Sequence, residues 1–214
     1  MIWKKDSESW RELTMKKGKI MIAVPTFESI KPECFKGIYG IKPPEEYNLF
    51  FDYVKGYDCA KARNEIAKEA IEYDMDYVLM VDSDIAVPRL TVEKLLECDS
   101  DVALGWYYRK RTKTDETIIF DFGKDFNHHN AIKGQTMINN IHESFSCKGG
   151  GLGIALIKTE VFEKIDFPYF KFVTYSNDTV LSEDLYFCNK VRDNGMEIKC
   201  NPFVKGDHIF DMLM

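Results

Sequence analysis

The sequence has 214 residues, of which 45% are hydrophobic, and its net charge is -6. This length and apolar content suit one domain with a single core. The lysine and arginine residues do not gather into one long basic run, which argues against nucleic acid as the main partner because duplex binding needs a cationic surface. The apolar runs are too short to cross a bilayer, so we expect no integral membrane segment.

The six cysteines predict neither a zinc site nor a disulfide framework. None forms a C-x-x-C pair, and none lies at a short ligand spacing from a histidine. No signal peptide precedes the domain, so we expect reduced thiols in a cytoplasmic protein. Residues 1–18 are an N-terminal extension in which Trp3, Trp10, Leu13 and Met15 predict a short amphipathic helix; contact with a membrane surface is the alternative.

Strands and helices alternate through the first half of the chain. Short apolar runs predict strands, and apolar residues that recur near one face predict helices. The predicted strands cover residues 19–25, 48–54, 76–81 and 101–108, and the predicted helices cover about 59–73, which Asp58 caps, and 89–98. This alternation predicts an α/β fold in which a mainly parallel central sheet is flanked by helices on both faces.

The second half is less regular. Its predicted strands cover residues 118–123, 135–141 and 196–202, its predicted helices cover about 158–165 and 182–195, and a loop holds His128, His129 and Asn130. Ser182 can cap the last helix and Gly195 can end it.

Segments with polar residues lie at or just after the ends of three of the predicted strands. They are Pro25-Thr26, Asp82-Ser83-Asp84, and the segment from Trp106 to Lys110. In mainly parallel sheets, ligands bind outside the carboxyl ends of the strands. We therefore expect the ligand site where these residues converge.

The two aspartates after the third strand predict a metal site. Residues i and i+2 project to the same side of an extended segment, so Asp82 and Asp84 point together into the crevice. Two converging carboxylates repel each other unless a cation lies between them, and Mg²⁺ or Mn²⁺ prefers oxygen ligands. His208, after the last strand, can complete the coordination. The alternative is that Asp82 caps a turn, Asp84 is solvated and His208 is structural.

Five segments, taken in order, resemble a known family. They are VPTFE (24–28), GYDCAKARNEIAKEA (56–70), DYVLMVDSDI (76–85), GGGLGIALIKTEVFEKI (149–165) with an aromatic loop, and SEDLYFCNKVRDNG (182–195) with a final GDH. The set resembles the nucleotide-sugar-dependent glycosyltransferases of the GT-A fold, and most of all the inverting family 2 type with its bacteriophage and bacterial relatives. The resemblance spans about residues 19–210, nearly the whole chain.

This resemblance implies a metal-dependent donor site. Asp82 and Asp84 match the family's D-x-D motif and, with His208, would hold a Mn²⁺ or Mg²⁺ that bridges the diphosphate of the donor, with Asp84 the more direct ligand. The residues implied along the nucleotide sugar are Pro25, Thr26, Glu28, Asp58, Arg63, Asp82 and Ser83. The alternative is a surface helix arginine for Arg63 and helix capping alone for Asp58.

The resemblance also implies a catalytic pair, because Glu183 and Asp184 match the family's E-D motif. A sugar hydroxyl is a poor nucleophile, so a carboxylate that takes its proton assists its attack on the anomeric carbon. Asp184 is the expected base, and Glu183 is expected to orient the acceptor or the helix terminus. One base opposite the leaving group favours inversion. The alternative is that both carboxylates stabilise the N-terminal end of their helix.

Glycine and aromatic residues are expected at the acceptor site. Gly150 and Gly151 in KGGGLG are expected where the backbone passes close to a sugar. Trp106 and Tyr107, like the aromatic residues of FPYFKF, can stack on sugar faces, although aromatic residues are more often part of a core. Residues 111–146 have no counterpart in the resemblance and are expected to shape the acceptor pocket.

The expected function is transfer of one sugar from a nucleoside-diphosphate sugar, with UDP favoured, to a hydroxyl of a sugar, glycan or protein-borne acceptor. Within the expected domain 19–214, residues 19–110 would bind the nucleotide sugar and residues 111–214 would bind the acceptor and carry the catalytic pair. A Q-x-x-R-W signature does not follow the E-D pair, so polymer synthesis is not expected. The alternatives are a sugar-phosphate nucleotidyltransferase, which usually has a basic glycine-rich loop after its first strand, and a catalytically silent nucleotide- or carbohydrate-binding module.

Overall fold

The computed structural model describes residues 18–109, 115–120, 131–176, 178 and 180–209. The predicted N-terminal helix lies outside these residues, except for Gly18, which opens the first strand. The predicted loop with His128, His129 and Asn130 also lies outside them, as does Lys110.

The described residues form fourteen strands and six helices. The strands are β1 (Gly18–Thr26), β2 (Tyr47–Lys55), β3 (Tyr77–Val81), β4 (Ile85–Ala86), β5 (Val102–Trp106), β6 (Glu116–Phe120), β7 (Ala131–Lys133), β8 (Phe145–Ser146), β9 (Gly149–Gly150), β10 (Ile154–Lys158), β11 (Val173–Thr174), β12 (Val180–Leu181), β13 (Ile198–Lys205) and β14 (Asp207–His208). The helices are α1 (Pro32–Tyr39), α2 (Cys59–Glu72), α3 (Thr91–Leu96), α4 (Gly134–Asn139), α5 (Glu160–Lys164) and α6 (Glu183–Asp193).

Seven of the strands form a central sheet in the order β2-β1-β3-β10-β5-β13-β8. Five of them, β1, β2, β3, β5 and β13, run in one direction, whereas β10 and β8 run against their neighbours. The predicted mainly parallel sheet is therefore confirmed. Because β1 and β3 are parallel neighbours, their carboxyl ends meet at one edge of the sheet, where the polar segments after both strands lie.

Helices cover both faces of this sheet. Alternate residues of β1 point to opposite faces, so that Ile20 and Ile22 join one core cluster and Met21 and Ala23 join the other. Buried residues of α2, α5 and α6 pack into the cluster with Met21, and those of α1 and α3 pack into the cluster with Ile20. Burial on both faces explains why the strand sequences are continuous apolar runs.

The predicted helix ends are confirmed at the two helices that reach the site. Asp58 caps α2, since its Oδ1 accepts a hydrogen bond of 2.9 Å from the backbone of Lys61. Ser182 caps α6 through the backbone of Leu185, at 3.5 Å. Gly195 follows α6 with φ of 75°, a left-handed conformation that favours glycine.

Two segments differ from the prediction. Residues 135–141 were expected as a strand, but α4 occupies most of that range because Asp115 satisfies its start: its carboxylate accepts from the backbone of Gln135 and its carbonyl from Gly134. Helix α1 was not predicted. It begins at Pro32, a favourable residue for a first turn, and buries Cys34 and Ile38 one turn apart.

Two further properties of the described residues concern membrane-spanning helices and disulfides. No helix among them is both long enough and apolar enough to span a membrane. All six cysteines lie in this part of the chain, and none forms a disulfide.

Candidate active site

The Asp82-Ser83-Asp84 segment forms a tight turn between β3 and β4. The backbone of Ile85 donates to the carbonyl of Asp82 at 3.1 Å and so closes the turn. The loop after β1 holds it from one side, since Lys31 donates its backbone N–H to the carbonyl of Ser83 at 2.9 Å. The thiol of Cys34, on helix α1, donates to the carbonyl of Asp82 at 3.1 Å. This contact of Cys34 was not predicted from the sequence.

The final strand brings His208 to Asp84. β14 pairs with β4 so that His208 lies opposite Ile85, and the backbone of Ile209 donates to the carbonyl of Asp84 at 2.8 Å. The Nε2 of His208 lies 3.5 Å from the Oδ2 of Asp84. Its Nδ1 lies 3.2 Å from the carbonyl of Tyr108, which can accept a hydrogen bond from that nitrogen, and this contact leaves Nε2 facing Asp84.

This pair fits a divalent cation. A carboxylate oxygen and an imidazole nitrogen are ligands that Mn²⁺ accepts, and a backbone carbonyl that orients the histidine through its other nitrogen is the usual second layer of such sites. The expected set of Asp82, Asp84 and His208 is not assembled, because the described residues contain no group of three His, Cys, Asp or Glu that could hold a metal ion.

The carboxylate of Asp82 turns to Arg63 instead. Its Oδ1 lies 2.8 Å from a terminal nitrogen, Nη2, of that arginine. The other terminal nitrogen, Nη1, lies 2.5 Å from Oε1 of Glu183 and 2.8 Å from Oδ1 of Asp184. Arg63 is 1% exposed and so is enclosed by the protein. The alternative of a surface helix arginine is therefore wrong, and Arg63 holds together three carboxylates, Asp82, Glu183 and Asp184.

Burial changes the protonation of this cluster. It raises the pKa of Asp184 to about 6; Arg63 opposes this rise and Glu183 adds to it. Burial also raises the pKa of Asp82, again against the effect of Arg63. For Arg63 burial alone would lower the pKa, but Asp184, Asp82 and Glu183 together raise it, so the guanidinium stays charged. Asp184 is thus a carboxylate that can take up a proton near neutral pH.

The two expected aromatic acceptor residues are buried. Trp106 is 1% exposed, and its Nε1 donates to the carbonyl of Pro202 at 2.8 Å. No ring face of Trp106 is open to a sugar, so its expected stacking role is wrong in this arrangement. Tyr107 is 4% exposed, and its hydroxyl accepts from the backbone of Gly153 at 3.1 Å. Its ring meets the ring of His208 edge to face, which makes Tyr107 a support of the site.

The glycines of KGGGLG are required by neighbouring protein atoms. A Cβ on Gly150 would lie 2.8 Å from the carbonyl oxygen of Ile118, and one on Gly151 would lie 2.7 Å from the hydroxyl of Tyr107. A Cβ on Gly153 would lie 2.7 Å from Oδ2 of Asp82. These close approaches explain the glycines without a bound sugar and place their backbone directly beside the acidic cluster.

The residues expected along the nucleotide lie near the carboxyl ends of β1 and β3. Pro25 and Thr26 end β1 and are buried, and the hydroxyl of Thr26 donates to the carbonyl of Ser29 at 2.8 Å. Glu28 is exposed, as is Asp58, whose carboxylate caps α2. Cys59, which the sequence analysis did not single out, opens α2. Loss of hydration raises the pKa of its thiol, Arg63 opposes this rise, and the carboxylates of the cluster add to it.

Comparison with solved structures identifies the class of fold. The chain is similar to A197 from STIV, with a TM-score of 0.61 and 21% identity, covering 90% of this chain and 86% of that one. It is also similar to GalNAc-T7, solved with UDP, GalNAc and Mn²⁺, with a TM-score of 0.57 and 10% identity, covering 91% of this chain and 44% of that one. The chain therefore spans less than half the length of GalNAc-T7.

These likenesses define a GT-A-type fold, the fold of the glycosyltransferase GalNAc-T7. The fold class expected from the sequence is thereby confirmed. No protein-family model matches the sequence, and neither does any curated protein.

Proposed function

We propose that the protein is a metal-dependent glycosyltransferase that transfers one sugar from a nucleoside-diphosphate sugar to an acceptor hydroxyl. One observation carries the proposal. At the carboxyl edge of the sheet, Asp84 lies beside His208 and shares a turn with Asp82. Asp82 in turn contacts Arg63, which also contacts Asp184. The likeness to GalNAc-T7, whose structure contains UDP, GalNAc and Mn²⁺, supports the donor class and favours UDP.

In this proposal Asp84 and His208 hold the cation. When bound there, Mn²⁺ or Mg²⁺ would supply positive charge for the leaving nucleoside diphosphate. The nucleotide would lie along the ends of β1 and β3, beside Thr26 and Ser83, with Pro25, Glu28 and Asp58 at its margin. Asp82 would contribute to the site by its contact with Arg63 and not as a metal ligand.

Asp184 acts as the base. Its carboxylate accepts the proton of the acceptor hydroxyl while the hydroxyl oxygen forms a bond to the anomeric carbon. The bond from that carbon to the diphosphate oxygen breaks, and its electron pair leaves with the diphosphate. Attack from the side opposite the leaving group inverts the anomeric centre. Glu183, held by Arg63, keeps the first turn of α6 in place.

The finer parts of the proposal follow the resemblance in the sequence. We propose an inverting enzyme of the family 2 type, with residues 19–110 as the donor half and residues 111–214 as the acceptor and catalytic half. The acceptor is a sugar, glycan or protein-borne hydroxyl, bound near Gly150 and Gly151 rather than on Trp106. The sequence analysis also leads us to propose a cytoplasmic location.

One observation favours a second candidate. Arg63 offsets the charge of the three carboxylates without any ligand, so the cluster is also what a catalytically silent nucleotide- or carbohydrate-binding module of this fold would need. The two candidates differ in turnover.

Nucleoside diphosphate release from a panel of nucleotide sugars tests the proposal. With Mn²⁺ and candidate acceptors, we expect turnover of one donor, loss of turnover with EDTA and loss in Asp84→Asn. The matched control is Asp193→Asn, an exposed carboxylate at the far end of α6, which should retain activity. Donor binding without turnover in the wild type would favour the silent module.

A further inference from the structure

Arg63 connects three separate elements of the site. It lies on α2, Asp82 lies in the turn after β3, and Glu183 and Asp184 lie in the first turn of α6. The contact with Glu183 spans 120 residues of sequence and the contact with Asp82 spans 19. This one side chain therefore contacts both the turn that holds Asp82 and the carboxylate proposed as the base.

The geometry of the guanidinium makes the connection rigid. Its nitrogens lie in one plane and form a fixed fork, unlike the flexible ammonium of lysine. One terminal nitrogen contacts Asp82 and the other contacts the E-D pair, so a rotation that improved one contact would break the other. Arg63 is 1% exposed, so its guanidinium is shielded from bulk solvent while it makes these contacts.

The next residue fixes the helix that carries Arg63. The side-chain amide of Asn64 donates to the carbonyl of Phe170 at 2.7 Å, and its carbonyl oxygen accepts from the backbone of Tyr169 at 2.9 Å and of Phe170 at 3.2 Å. Asn64 is buried, and these bonds hold α2 against the segment that precedes β11. Arg63 is thus presented from a backbone that is itself fixed, as a precise site requires.

We propose that Arg63 is a positioning residue, which holds Asp82 on the base side of the site and fixes Asp184 where it takes the acceptor's proton. The proposal rests on the proposed function. It differs from the expectations of the sequence, in which Arg63 contacts the nucleotide and Asp82 binds the metal. Asp84 and His208 would then hold the cation, and the two aspartates of the D-x-D motif would have different tasks.

Arg63→Lys tests the positioning role, since it keeps the charge and removes the fork. We expect kcat to fall by about 10- to 100-fold, the loss typical of a misplaced reacting group, with the KM for the donor within about threefold of the wild type. A higher KM with unchanged kcat would assign Arg63 to the nucleotide and overturn the proposal. Unchanged kcat and KM with a lower melting temperature would reduce Arg63 to a structural role and overturn it as well.

Asp82→Asn provides a second test that does not depend on whether Arg63→Lys folds, because it keeps the size of the side chain. Binding of Mn²⁺, measured from its electron paramagnetic resonance signal with the nucleoside diphosphate that the wild type releases, should stay within about twofold, whereas Asp84→Asn should weaken it by at least about tenfold. Equal weakening by both substitutions would make Asp82 a metal ligand and overturn the proposal.

A matched control separates failure of this proposal from failure of the proposed function. Arg89→Lys changes an exposed arginine in the same way and should leave kcat, KM and Mn²⁺ binding unchanged. If the wild type turns over no donor, the proposed function fails. If the wild type is active and Arg63→Lys matches Arg89→Lys, the positioning role alone fails.

Discussion

At the scale of the residue, the neighbour of each carboxylate in the site decides what that carboxylate can do. Asp84 faces His208, whereas Asp82, two residues earlier, faces an enclosed guanidinium. Asp184 shares that guanidinium, and its pKa of about 6 lies well above the ordinary 3.8. Burial drives this change, since a charged carboxylate loses its hydration more than a neutral one does.

The raised pKa of Asp184 predicts how activity depends on pH. A base must be ionised, so kcat/KM for the donor, which reports the pKa of the free enzyme, should fall about tenfold per pH unit below about pH 6 and level off above it. The measurement is a series of initial rates from about pH 5 to about pH 8. The low residual activity of Asp184→Asn should not show this fall below about pH 6. The same fall in that variant would contradict the assignment of Asp184 as the base.

At the scale of the element, α2 carries Arg63, which is central to the site, and also Glu69, whose ionised form is unfavourable. Burial raises the pKa of Glu69 to about 7, and the nearby carboxylates Asp52, Glu65 and Glu72 add to the rise. Its Oε2 has no hydrogen-bond partner in the described part of the chain. The ionised form is therefore unfavourable in the folded state.

Glu69→Gln should stabilise the protein at high pH. The pKa of Glu69 is higher in the folded state than its ordinary value of 4.5, so its ionisation weakens stability as the pH rises from 4.5 through about 7. The melting temperature of the variant should exceed that of the wild type at about pH 8 and approach it at about pH 4, where Glu69 is neutral in both states. Glu163→Gln, at an exposed helical position, is the control and should shift neither value.

Elements that depend on local sequence were predictable, and those that depend on distant contacts were not. Asp58 and Ser182 cap helices within three residues, so the starts of α2 and α6 could be read from the chain. Helix α4 begins at a cap from Asp115, 20 residues earlier, and was predicted as a strand. The role of Arg63 depends on Glu183, 120 residues away, and a single sequence carries no signal for that contact.

At the scale of the whole molecule, the order of strands assembles the site. The sheet places β10 between β3 and β5 and antiparallel to both, although β10 follows β5 by about 50 residues of chain. The glycines before β10 consequently lie beside Asp82, and Gly153 accepts the backbone N–H of Asp82 on its carbonyl at 3.1 Å. The sequence predicted the carboxyl edge as the ligand site, but it could not predict that insertion.

The comparison of binding with turnover in Asp184→Asn tests the central claim most directly. With Mn²⁺ and the donor that the wild type uses, we expect calorimetry to give a donor affinity within about threefold of the wild type, while transfer falls by about 10²- to 10⁴-fold, the usual contribution of a general base. Wild-type transfer by Asp184→Asn would contradict a catalytic role for this carboxylate and, with it, the proposed mechanism.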